Sequence, residues 1–189
     1  MLAYVLWHHA RAGISTRIVY EASLLAFHER LRQAGIKGFI ASSTSVVSKL
    51  PWIATTDCRE DWYIVDDWCA LGAMLEASVS DLPKAAHDLV THSSVIDGAS
   101  IYRLRAGECC IDAPVAEWFS KPEGMAQWVM EELIEPSLQP GCGLWQRQLA
   151  LGPAPEFCLL GQAVWRHPSI PMAEVKRSKL VSRGPSLLH

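Results

Sequence analysis

Hydrophobic and polar positions follow two different periods along the chain, and these periods predict a series of strands and helices. Residues 2–8 are rich in aromatic and branched side chains, which is typical of a strand. In residues 17–34 the apolar positions recur at spacings of three and four, which predicts one helical stripe made of Tyr20, Leu24, Phe27, Leu31 and Ala34. Ser15 or Thr16 can cap the start of this helix, and Gly35 can end it.

The pattern up to residue 110 completes one unit of strands and helices. Strands are predicted at residues 38–47 and 61–67, and short helices at residues 68–78 and 80–90. The last of these helices has Pro83 in its first turn. Asp97 and Gly98 form a turn signal, and residues 100–105 predict a fourth strand. The order β-α-β-β-α-β is the ferredoxin-like arrangement.

The order of elements then starts again. A strand is predicted at residues 114–121, followed by a helix at residues 125–134 that Pro136 ends. Two more strands are predicted at residues 144–151 and 156–160. Aligning the two halves brings Trp7 onto Trp118. We therefore interpret the chain as α+β with a tandem ferredoxin-like repeat, βαββαβ followed by βαββ. The expected units are residues 1–110 and a shorter one, 111–162, packed on the first.

The remaining segment, residues 163–189, has a different character. It contains three prolines, five lysine or arginine residues and little periodicity, which predicts a solvated, loosely packed C-terminal tail.

Composition excludes several classes of protein. Half of the 189 residues are hydrophobic and 20% are charged, so the chain is not a disordered one. A net charge of -3 disfavours nucleic acid as a partner. No apolar run is long enough to cross a membrane, and the six cysteines lack the spacing of metal ligands. We expect a cytoplasmic protein with reduced thiols and with no metal ion or cofactor.

Two local features join the order of elements in pointing to a known group. The strand at 62–67 runs directly into residues 68–71 (WCAL), and a later helix carries residues 86–88 (AHD) before a closing strand. This arrangement resembles the dimeric α/β-barrel superfamily, which includes stress-responsive barrel proteins, NIPSNAP-like proteins and antibiotic-biosynthesis monooxygenases. The resemblance implies antiparallel sheets packed around a cavity, here as a pseudo-dimer within one chain, and it leaves room for a homo-oligomer.

Members of that superfamily differ in activity, so the resemblance does not select one. They include cofactor-free oxygenases, isomerases and haem proteins. Strand alternation indicates which side chains share a face, and the faces mix large aromatics with single charges, as in a mostly apolar pocket. The expected ligand-binding residues are Tyr4, Trp62, Trp68, Glu117, Phe119 and Trp145.

Asp66 is the sharpest catalytic candidate. Ile64 and Trp68 flank it at two-residue spacing, which would desolvate the carboxylate and suit it to act as a general base. The alternative is that the strand ends there and that Asp66 and Asp67 are solvated or cap the next helix.

Other polar residues offer supporting roles. His8 could remove a proton, or His8 or His9 could hold iron in a haem-binding variant. The alternative is a strand-end histidine bonded to backbone. Arg103 or Arg147 could stabilise developing negative charge. Glu117 and Arg147 form either a pocket ion pair or an ordinary cross-strand pair.

Two hypotheses for the function follow. The first is a protein that binds a small apolar molecule, or a cofactor-free enzyme of the oxygenase or isomerase type. The second is a non-enzymatic module for structure or oligomerisation, with an interior filled by side chains. A connected pocket of roughly 300 Å³ or more that a polar side chain reaches would favour the first hypothesis.

Overall fold

A computed structural model describes residues 1–14, 16–161 and 170–181 of the chain. The first half contains β1 (Leu2–Ala10), α1 (Arg17–Gln33), β2 (Phe39–Val47), β3 (Arg59–Val65), α2 (Trp68–Ser78), α3 (Asp81–Ser93) and β4 (Ser94–Gly107). The second half contains β5 (Val115–Phe119), α4 (Gln127–Ile134), a 3-10 turn (Glu135–Ser137), β6 (Gly143–Ala150), β7 (Phe157–Leu160) and β8 (Ala173–Lys179).

The eight strands form one closed antiparallel barrel in the order β1-β3-β2-β8-β5-β7-β6-β4. The first half supplies neighbours in the order β4-β1-β3-β2, and the second half supplies β8-β5-β7-β6. Each half therefore contributes a four-stranded sheet with the same order of strands. The pairs β2–β8 and β4–β6 join the two sheets, so the barrel has no open edge.

Helix α1 forms where the apolar stripe predicts it. The Thr16 side chain accepts a hydrogen bond from the Val19 amide, which caps the first turn. Tyr20, Leu24 and Leu31 are fully buried on the stripe. Helices α1, α2 and α3 cover the outer face of the first-half sheet, and α4 covers the outer face of the second. No helix in the described part of the chain is both long and apolar enough to span a membrane.

The segment containing β8 corrects the expectation of a loosely packed tail. β8 pairs with β2 on one side and with β5 on the other, so it is needed to close the barrel. Val175 and Arg177 point inward and are buried, while Lys176 is exposed. The sequence pattern did not predict this strand, because one of its inward positions holds an arginine in place of an apolar residue.

Asp97 and Gly98 lie inside β4, so the turn predicted there is wrong. The register between β1 and β4 shifts between Trp7 and His8, which leaves Asp97 as an extra residue in a bulge. A Cβ atom on Gly98 would lie 3.8 Å from the Trp7 ring. This is an ordinary van der Waals distance, so the glycine is explained by its place beside the bulge, where glycine is common in sheets.

Tryptophan side chains fill the interior of the barrel. Trp7, Trp62, Trp118 and Trp145 are each at most 1% exposed. Ring centroids lie 5.4 Å apart for Trp7 and Trp118 and also for Trp62 and Trp145. The residues that the alignment of the halves superimposes, Trp7 and Trp118, therefore meet in the same core.

An ion pair is buried among these rings. The Arg177 Nε donates to Glu60 Oε1 at 2.7 Å, and the indole nitrogens of Trp7 and Trp62 donate to the same carboxylate at 2.9 and 2.8 Å. Arg177 Nη1 also donates to the carbonyl oxygens of Ile111 and Ala113, both at 2.8 Å. Because donors surround the carboxylate, its charge is compensated inside the apolar core.

Candidate functional site

A cavity of about 400 Å³ lies outside the barrel, between the first-half sheet and the helices that cover it. Its walls come from β1, β3 and β4 on one side and from α1, α2 and α3 on the other. Much of the wall is apolar, including Leu6, Phe27, Leu31, Met74, Val90 and Ile96. A concave and mostly apolar space of this size is typical of small-molecule sites.

Asp61 places a carboxylate at this cavity. Side chains alternate along β3, so Trp62 and Ile64 face the barrel interior whereas Tyr63 and Asp61 face the helices. Asp61 lies opposite Leu6 of β1, another wall residue. The side chain is only 1% exposed, which makes it a buried acid in an apolar setting.

His8 connects Asp61 to Tyr20 of α1. His8 Nε2 lies 3.0 Å from Asp61 Oδ2, an ion-pair contact that is poorly directed for a hydrogen bond. His8 Nδ1 is hydrogen-bonded to the Tyr20 hydroxyl. Burial and the nearby Asp61 raise the pKa of Tyr20, so its hydroxyl keeps its proton.

Tyr63 and His28 complete the cluster. The Tyr63 hydroxyl donates to Asp61 Oδ2 at 2.9 Å. His28 Nε2 lies 3.5 Å from the same oxygen, and the His28 ring stacks on the Tyr63 ring with centroids 5.0 Å apart. The two rings hold each other in place against the carboxylate.

The electrostatics of the cluster keep Asp61 ionised. Burial alone would raise the pKa of Asp61, but the nearby His8 and His28 outweigh burial and bring the pKa below its ordinary range. Burial and the Asp61 charge both raise the pKa of Tyr63. At neutral pH the cluster therefore contains a carboxylate faced by phenol groups that keep their protons.

The two oxygens of Asp61 have unequal surroundings. Oδ2 is close to Tyr63, His8 and His28, whereas Oδ1 has no hydrogen-bond partner among the described residues. A buried acceptor without a partner costs about 1–3 kcal/mol. A bound molecule that donates a hydrogen bond to Oδ1 would remove this cost, so the site is suited to a ligand with one donor group.

Two of the predicted site residues lie at this cavity. Tyr4 and His8 line it, and the ring of Tyr4 stacks on that of Tyr63 with centroids 6.1 Å apart. The first-strand face of Tyr4, Leu6 and His8 was expected to line the space between the sheets. It faces the helices instead, because Ala3, Val5 and Trp7 are the inward set.

Four predicted ligand-binding residues are buried elsewhere. Trp62 and Trp145 belong to the packed barrel interior. Phe119 packs in the second-half core beside α4, stacked on Phe157. Glu117 is also buried and is two residues from Phe119 on β5. None of these four is among the described residues that line the cavity.

The desolvation expected for Asp66 is not found. β3 ends at Val65, and Asp66 is exposed at the start of the following turn. Asp67 caps α2 by accepting from the Ala70 amide at 2.9 Å, and Trp68 is 48% exposed as the first residue of that helix. The alternative of a solvated strand end and a helix cap describes these residues.

The predicted arginines lie away from the cavity. Arg103 is exposed on β4. Arg147 is half-buried, and its guanidinium donates to the Ala154 carbonyl. A cross-strand pair of Glu117 with Arg147 is excluded, because β7 lies between β5 and β6 in the barrel.

Sequence reasoning missed Asp61, Tyr63, Tyr20 and His28. The predicted third strand began at Asp61, whereas β3 begins two residues earlier and is buried along its whole length. Extending the alternation back from Tyr63 would have placed Asp61 on the helix side. The contacts with Tyr20 and His28 depend on how α1 packs on the sheet, which the sequence pattern does not specify.

Haem ligation through His8 or His9 does not fit these contacts. The His8 ring has Tyr20 at one nitrogen and Asp61 at the other. His9 Nδ1 is bonded to Asp97 Oδ2 at 2.8 Å, and His9 is not among the described cavity-lining residues. No group of three or more His, Cys, Asp or Glu side chains in the described ranges is placed to hold a metal ion.

Comparisons with known proteins agree with the architecture. No family model matches the chain, and no curated protein matches it. Among solved structures, it is similar to a crystal structure described as "Putative Chlorite dismutase TA0507", with a TM-score of 0.54 and 14% identity over 94% of each chain. At this identity the likeness shows the fold alone. At the level of fold, this likeness agrees with the resemblance to the dimeric α/β-barrel superfamily.

Proposed function

We propose that this protein binds a small, mostly apolar molecule in the cavity between the barrel and helices α1, α2 and α3. The observation that carries the proposal is the buried Asp61 carboxylate at an apolar cavity of about 400 Å³, with one oxygen lacking a partner among the described residues. Apolar walls supply affinity and a few fixed polar groups supply orientation. The cavity volume argues against a module without a ligand pocket.

A neutral fluorescent probe tests this proposal. N-phenyl-1-naphthylamine should bind the protein with increased emission, because the cavity shields it from water. Val90 lines the cavity on α3, so Val90→Trp should fill the space and lower probe affinity by at least about tenfold. Leu89→Trp is the matched control, since Leu89 is its neighbour on α3 and is 53% exposed.

Equal probe binding by the two tryptophan variants would show that the probe lies elsewhere. Absence of binding by the unaltered protein would count against a ligand site of this kind. Circular dichroism of both variants checks that α3 remains helical.

A second candidate is a cofactor-free enzyme of the oxygenase or isomerase type. The contacts from Tyr20 through His8 to Asp61 favour it, because such a chain can hold and move a proton at His8 Nε2. Turnover of a bound compound, followed by mass spectrometry, should be lost in His8→Gln while probe binding persists. Turnover that is unchanged in this variant would exclude His8 as the proton carrier.

We also propose that residues 1–110 and 111–162 are related ferredoxin-like units. The recurring strand order, which in the second half includes β8 beyond residue 162, and the meeting of Trp7 with Trp118 support this interpretation. A cytoplasmic location and a homo-oligomer remain predictions, and light scattering on the purified protein tests the second. The activity named for the structural neighbour is not extended to this chain, because the likeness between them is one of fold.

A further inference from the structure

We infer that the cavity takes an elongated apolar amine, with the ammonium group on Asp61 and the apolar chain extending to the cavity mouth. This inference rests on the proposed function and specifies the chemical class of its ligand. It follows from three features of the cavity: the position of the acid, the chemistry of the walls and the exposure of the rim.

The position of the acid favours a cation. Asp61 is 1% exposed, and its Oδ1 has no partner among the described residues. A charged donor forms a shorter and stronger hydrogen bond with a carboxylate than a neutral donor does. In a buried site the attraction between opposite charges is only weakly screened by water.

Arg11, a permanent positive charge at the cavity, does not reverse this preference, and His8 and His28 contact the other oxygen of Asp61, Oδ2. Among the described lining residues Arg11 is the one lysine or arginine. Arg11 is exposed, and its Nη2 already donates to the Ser94 carbonyl at 3.1 Å. Solvent screens an exposed charge, so Arg11 acts on a ligand more weakly than Asp61 does.

The rim of the cavity favours a long ligand. Leu75, Val95 and Ile96 line the cavity and are nevertheless 46%, 37% and 63% exposed. Apolar side chains that are partly exposed at a mouth gain stability when an apolar chain covers them. A molecule with its donor at Asp61 and a flexible chain toward Ile96 would contact both the buried carboxylate and the apolar rim.

Calorimetric titration with three ligands of equal chain length tests the assignment. Octylamine should bind about tenfold more tightly than octanol, because its ammonium group makes a charge-assisted bond to Asp61. Octanoate should bind most weakly, because its carboxylate would be repelled. Asp61→Asn should remove the advantage of octylamine over octanol.

A second variant keeps the test valid where Asp61→Asn fails to fold. Ile96→Ser, at an exposed side chain, should lower the affinity for dodecylamine more than that for hexylamine. Ile40→Ser is the matched control, since Ile40 is 46% exposed on β2 and does not line the cavity.

The outcomes separate this inference from the proposed function. Equal affinities for octylamine and octanol, or tighter binding of octanoate, would overturn the amine assignment while leaving an apolar ligand site in place. If none of the three binds and N-phenyl-1-naphthylamine also fails to bind, the proposed function itself is wrong. Probe binding without binding of octylamine overturns the amine assignment alone.

Discussion

Asp61 is a buried carboxylate that lies at the proposed ligand cavity and contacts three neighbouring side chains. Tyr63, His8 and His28 face one of its oxygens. Its side chain is buried beside apolar wall residues. Removing its charge would therefore take the negative partner away from these three side chains. The same residue therefore links the stability of the fold to the chemistry of the cavity.

The pH dependence of stability tests this role. The pKa of Asp61 is lowered in the folded state, so the carboxylate stabilises the fold above the ordinary pKa of 3.8 and loses this contribution as the pH falls below it. Urea unfolding from about pH 7 to about pH 3 should show a smaller acid-induced loss of stability in Asp61→Asn than in the unaltered protein. Asp66→Asn should follow the unaltered protein, because Asp66 is exposed. Parallel curves for all three would contradict the role given to Asp61.

The contrast between Asp66 and Asp61 shows what sequence reasoning can predict at a single residue. Asp61 lies within β3 and Asp66 directly follows it, and apolar neighbours at two-residue spacing suggested burial for Asp66. Burial depends on where the strand ends, and an error of two residues in that boundary selected the exposed acid. Tyr4 and His8 were correctly grouped on one face of β1, but that face was expected to point between the sheets and instead points to the helices.

At the scale of the element, β8 and its buried arginine join the two halves of the barrel. Arg177 donates to Glu60 on β3 and to carbonyl oxygens in the segment that precedes β5. Removal of one partner from a buried ion pair leaves an uncompensated charge, which is strongly destabilising.

Arg177→Met should therefore lower the free energy of unfolding by about 3–5 kcal/mol. Lys179→Met is a matched control on the same strand, because Lys179 is 46% exposed and its pair with Asp112 is at the surface. The control should change stability by less than about 1 kcal/mol. Urea denaturation measures both, and similar losses in the two variants would contradict a central role for the Arg177–Glu60 pair.

The elements differed in how far the sequence predicted them. α1 was predicted closely, because its apolar stripe, its Thr16 cap and Gly35 all agree. β8 was missed, because its inward positions are one valine and one arginine among charged residues. Long-range contacts, rather than local preference, make that segment a strand.

At the scale of the whole molecule, the barrel interior and the candidate site are separate spaces. Tryptophans and the Arg177–Glu60 pair fill the interior, and the cavity lies on the helix side of the first-half sheet. The sequence predicted the α+β class, the antiparallel sheets and the superfamily resemblance. The prediction of a pocket between the sheets was wrong. Alternation shows which residues share a face of a strand, but it does not show which of the two faces points into the barrel.

This separation predicts a spectroscopic result. None of the described cavity-lining residues is a tryptophan. Octylamine, which does not itself fluoresce, should therefore bind with little change in the wavelength of tryptophan emission. A shift of the emission to longer wavelength would indicate that the ligand opens the barrel interior.

Hydrogen–deuterium exchange with and without N-phenyl-1-naphthylamine tests the location of the site most directly. The amides of α3 and the first residues of β4 should exchange more slowly when the probe is bound, because both segments line the cavity. Exchange in β5, β6 and β7 should not change. Protection of those second-half strands, with none in α3, would contradict a ligand site between the barrel and its helices.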